Sequence, residues 1–105
     1  MDCYDRQGRP ITLDEWSARR RDEAVVAKTD VTDQVHVSTV WLGMDHNWGG
    51  VGPLVIFETL IFGGPLDQEM WRYSTEEQAR AGHEEAVKQA TAARHAEFGE
   101  VTTDA

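Results

Sequence analysis

Apolar and polar positions change their period several times along the chain. From Ala24 to Leu42 the period is two. Val25, Val26, Thr29 and Val31 form one segment, and Val35, Val37, Thr39 and Trp41 alternate with His36, Ser38, Val40 and Leu42 in the next. Such alternation marks half-buried strands, and Thr32 and Asp33 between them are turn formers, so the pattern predicts a β-hairpin. Leu54 to Phe62 is almost continuously apolar, broken by Glu58 and Thr59. That predicts a central strand covered on both faces, or partly covered by a partner. Gly63 to Asp67 reads as a turn, and Glu69, Trp71 and Tyr73 alternate with Met70 and Arg72 in a last strand.

Helical signals flank this β region. Cys3 to Ile11 reads as a short strand, a turn at Asp5 to Gly8 and an extended exit, with Pro10 holding Arg9 extended. Thr12 and Glu15 fit a capping box, with Ile11 and Trp16 as its hydrophobic staple, predicting a helix from Leu13 to about Arg21. Arg19, Arg20 and Arg21 would then lie in the last turn, where the helix dipole favours cations. Ser74 and Glu77 form a second capping box, opening a long helix to about His95. Its inner stripe is Ala79, Gly82, His83, Ala86, Val87, Ala90 and Ala93, small side chains that suit close approach to a sheet but bury little area each. The predicted fold class is α+β: an antiparallel four-stranded meander, a short N-terminal hairpin and helix, and a long C-terminal helix packed on one face. Residues 1–99 form the single domain and 100–105 a flexible acidic tail.

Length and charge narrow the function classes. The chain has 105 residues and a mass of 11.8 kDa, enough for one core. Ten basic residues against 19 acidic ones give a net charge of −9, the wrong sign for sequence-blind nucleic-acid or anionic-membrane binding. The one cysteine, Cys3, allows no internal disulfide. The apolar runs are too short for a membrane span, and the first residues lack the apolar core of a signal peptide, so a cytoplasmic location is expected.

The stretch Gly43 to Pro53 carries four glycines in eleven residues, longer than a strand connection requires. Within it Asp45, His46, Asn47, Trp48, Gly49 and Gly50 are consecutive, which makes it the first candidate binding segment. The competing reading is a hairpin tip with Trp48 folded onto the core. Glu58, mid-strand, is the second candidate. It either lines a cavity as a raised-pKa base or pairs with Arg72 or Lys28 across the sheet, and the pairing is favoured. His36, His46, His83 and His95 show no metal-ligand spacing, so no metal is expected. Gly49 to Gly52 lacks the Lys-Ser/Thr of a P-loop, and Cys3 has no activating neighbour. No cofactor and no catalytic residue is assigned.

Several motifs resemble a known group. They are Tyr4 to Thr12 (YDRQGRPIT), Val37 to His46 (VSTVWLGMDH), Ile56 to Thr59 (IFET), Phe62 to Asp67 (FGGPLD) and Trp71 to Glu77 (WRYSTEE). Together they are similar to a widespread family of small uncharacterised proteins encoded by actinobacterial phages, prophages and mobile elements. The likeness spans Tyr4 to about Val87 and departs from the family pattern over Asn47 to Pro53. The resemblance implies an accessory protein in the host cytosol that binds a host or phage protein partner without catalysis. The alternatives are a binder of a small nucleotide-like ligand at the 43–53 loop and, behind it, a hydrolase using His46 and Glu58. A homodimer is also expected, because one long helix can cover only one face of the apolar Leu54–Phe62 strand.

Overall fold

The protein is seen here as a computed structural model that describes residues 2–103. A small ribbon opens the chain: β1 (Cys3–Tyr4) pairs antiparallel with β2 (Pro10–Ile11), and α1 (Leu13–Ala18) follows. The main sheet has β3 (Val25–Asp30), β4 (His36–Trp41), β5 (Phe57–Phe62) and β6 (Met70–Tyr73) in that spatial order, all antiparallel. Each strand lies beside its sequence neighbour, which is the predicted meander. One long helix, α2 (Glu76–Thr103), packs on one face of it.

Strand alternation decides which side chains meet α2. Val37, Thr39 and Trp41 on β4 and Phe57, Thr59 and Ile61 on β5 are buried, while the residues between them are half-buried or exposed. The registers Val37↔Ile61 and Thr39↔Thr59 align these positions into one surface, onto which Ala79, Ala86 and Ala90 pack. A bulge between Val25 and Ala27 turns Val26 inward to join Trp41, Ile56 and Phe57. Two tryptophans hold the N-terminal unit on this core. The Trp16 indole N–H donates to the Leu42 carbonyl (3.0 Å), and that of Trp41 donates to the Tyr4 carbonyl (3.1 Å). Gly43 makes room for this arrangement. Its φ is +79°, and a Cβ there would collide with the Trp16 ring.

A polar layer crosses the middle of the helix–sheet interface. His83 is buried, with Nδ1 2.7 Å from Thr39 Oγ1 and Nε2 2.8 Å from Thr29 Oγ1. Thr39 Oγ1 in turn bonds Thr59 Oγ1. Both ring nitrogens thus have partners, which offsets the cost of placing an imidazole in the core. Burial pushes the His83 pKa below its ordinary value, against the nearby charge of Glu84.

Several boundaries differ from the sequence reading, each for a local reason. The first helix stops at Ala18 and a 3-10 turn takes over at Arg21–Ala24, so the three arginines do not form its last turn. Arg19 turns to extended backbone, and its guanidinium stacks over Trp16 and Trp41, 4.2 and 5.1 Å from the ring centroids. The Thr12–Glu15 capping box forms as predicted. The long helix is capped one residue later than expected. Thr75 Oγ1 accepts from the Gln78 amide, and Gln78 Oε1 accepts from the Thr75 amide. Glu76, just inside the helix, is engaged by Arg6 and Arg80. The helix also runs beyond His95 and Gly99 to Thr103, so residues 100–103 of the expected tail are helical. Residues 104 and 105 lie outside the described residues. The strand predicted from Leu54 begins at Phe57, and it is buried on the α2 face only.

Candidate functional site

The segment from Gly43 to Pro53 is an ordered loop built on an extension of the β4–β5 hairpin. Beyond Trp41 the pairing continues, with the Leu42 amide donating to the Ile56 carbonyl and the His46 amide to the Val55 carbonyl, both at 2.8 Å. Asp45 then clamps the two arms. Its Oδ1 accepts from the Asn47 amide and the Val55 amide, each at 2.9 Å. Asn47 closes the tip from inside, its Nδ2 donating to the carbonyls of Val51 (2.7 Å) and Pro53 (3.0 Å). A turn follows, where the Gly50 amide reaches the Asn47 carbonyl at 3.2 Å. Gly50 takes φ +71°, a conformation that favours glycine.

Because the polar side chains face inward, the apolar ones face outward. Trp48 is 73 % exposed and Val51 is 85 % exposed. His46 Nδ1 lies 2.8 Å from the Met44 carbonyl, the geometry of an Nδ1–H donor. The His46 ring stands 5.6 Å from that of Trp48, tilted by 39°. Of the sequence-predicted site residues, Trp48, Gly49 and Gly50 are therefore exposed, while Asp45, His46 and Asn47 are half-buried builders of the loop. Trp48 is not folded back on the core. Val51 was missed because a lone valine in a glycine-rich stretch carries no signal of its own.

Glu58 belongs to a different surface. It lies on the sheet face opposite α2, where its Oε2 accepts from Arg72 Nε at 3.1 Å. This is the cross-strand pairing favoured from the sequence, with Arg72 as the partner. Among the described residues no hydrogen bond joins Glu58 to His46. Nor, among them, are three or more His, Cys, Asp or Glu side chains placed to hold a metal ion, and no helix is long and apolar enough to cross a membrane. Four surface clefts of about 320 to 520 Å³ are lined by other parts of the molecule, none of the four by a residue of 43–53. The exposed tip of the loop thus walls none of these four clefts.

Comparison of the chain with protein-family models, with curated proteins and with solved structures gives no match.

Proposed function

We propose that this chain is a small binding protein that engages a protein partner through the Trp48–Val51 tip of the 43–53 loop, without catalysis. One observation carries the reading: a tryptophan and a valine stand exposed on a loop that is internally hydrogen-bonded at Asp45 and Asn47. A large aromatic on a pre-organised support loses little conformational freedom on binding, and tryptophan is the residue most enriched at interface hot spots. The excess of acidic residues favours a partner with a basic rim around an apolar notch. The buried thiol of Cys3 is consistent with a reducing cytosolic setting.

The test is photo-crosslinking in cells of the source. A crosslinking residue at position 48 is expected to give one discrete protein adduct that the same residue at exposed Glu85, on α2, does not give. Equal labelling patterns from both positions would count against the loop. The alternative, a nucleotide-like ligand stacked on Trp48, predicts a rise in melting temperature with at least one member of a nucleotide panel. The hydrolase reading is the weakest, since the His46 imidazole and the Glu58 carboxylate each bond elsewhere.

A further inference from the structure

The face of the sheet opposite α2 is the second unexplained surface. Three rows of side chains cross it. Asp30, His36 and Phe62 form the first, Lys28, Ser38, Leu60 and Met70 the second, and Val25, Val40, Glu58 and Arg72 the third. Val25, Phe62 and Met70 are each more than 40 % exposed, so the face carries an apolar band open to solvent. A cleft of about 360 Å³ indents it, lined by Val25, Lys28, His36, Ser38 and Phe62.

We propose that this face is a homodimer interface on which a second copy of the chain seats face to face. Charge selects the occupant. The whole chain carries −9, yet on this face Lys28 and Arg72 balance Asp30 and Glu58. The excess negative charge therefore lies on other surfaces, and this is where two copies approach with least repulsion. A foreign basic partner would be drawn to those other surfaces instead. The face is also self-complementary. Lys28 has no ion-pair partner among the described residues, whereas Asp30 and Glu58 on the same face already pair within the chain, with His36 and Arg72, and of the two Asp30 is the more exposed. In a two-fold arrangement each Lys28 meets the acidic groups of the other copy, and Leu60, Phe62 and Met70 meet their like. Three strands of six residues and one of four present a face of at most about 19 by 20 Å, so two such faces bury roughly 800 Å². That is the size of a weak, transient interface and implies a readily reversible dimer. This inference is independent of the Trp48 reading.

Sedimentation equilibrium on the full chain tests it. The expected result is a reversible shift from 11.8 kDa to twice that mass as concentration rises through the micromolar range. Leu60→Glu is expected to abolish the shift, and Lys28→Glu to weaken it by about tenfold or more, the change in one interfacial charge pair per copy. Lys28→Met, which keeps the side-chain length and removes the charge without reversing it, is expected to weaken it less than Lys28→Glu. Trp48→Ala is expected to leave it unchanged, and melting curves verify that each variant is folded. If Leu60→Glu fails to fold, the Lys28 pair decides alone. Wild-type protein that stays at 11.8 kDa at about 0.5 mM overturns the proposal, as does a dimer indifferent to Lys28→Glu.

Discussion

His83 shows what burial does to a group that titrates near neutrality. Its pKa is pushed below 6.5 by desolvation, so the folded state binds fewer protons than the unfolded state in the window between the folded pKa and 6.5. Stability from this group is fully present above that window and is lost as pH falls through it. The melting temperature is therefore expected to drop from pH 7 to about pH 5, and His83→Gln to reduce that drop while lowering stability at pH 7. Melting curves across the pH range check both. Gly43 makes a different kind of demand. Its positive φ and its contact with the Trp16 ring leave no room for a methyl group, so Gly43→Ala is expected to destabilise by about 2 kcal/mol or more in denaturant titration. His83 was legible as a stripe residue from its spacing with Ala79, Ala86 and Ala90. Its two threonine partners were not, because Thr29 and Thr39 reach it from strands whose register the helix sequence does not encode.

At the scale of elements, the capping of α2 separates two readings of one short segment. Ser74-Thr75-Glu76-Glu77-Gln78 contains overlapping capping boxes, Ser74 with Glu77 and Thr75 with Gln78. The second is used, and Glu76 instead ties the helix start to Arg6 of the β1–β2 ribbon at 2.7 Å. Thr75→Ala is expected to cost about 1 kcal/mol, and Ser74→Ala clearly less, as chemical denaturation of both variants checks. The element types were readable because period two and the small-residue stripe each persist over many positions. The ends were not, since they depend on contacts distant in sequence, such as Arg19 stacking on Trp41. The 43–53 loop was legible as a candidate from its glycines and Trp48, but which of its residues face solvent follows from Asp45 and Asn47 turning inward. Asp45→Ala is accordingly expected to loosen the loop, giving faster amide exchange at Val55 with little change in global stability.

For the whole molecule, carboxylates add to the acid response of His83. Glu76 has its pKa lowered chiefly by the hydrogen bond from Arg6, opposed by burial and aided by Arg80. Asp67 is lowered by the Gly63 amide and by Gln68. Groups depressed in this way contribute stability above their unfolded pKa and lose it as pH falls through the folded value. Acid unfolding should therefore proceed over a broad range, His83 acting first and these carboxylates later. The architecture also divides the surface into three: an α2 flank, an open sheet face with balanced charge, and a loop tip carrying Trp48 and Val51. Only the last is assigned to a foreign partner. The most direct measurement is calorimetric titration of the crosslinked partner, once purified, into wild-type protein and into Trp48→Ala. Trp48→Ala is expected to bind about 30-fold more weakly or worse, equivalent to about 2 kcal/mol, with an unchanged melting temperature. Equal affinity of the two proteins would contradict the assignment of the loop tip as the binding element.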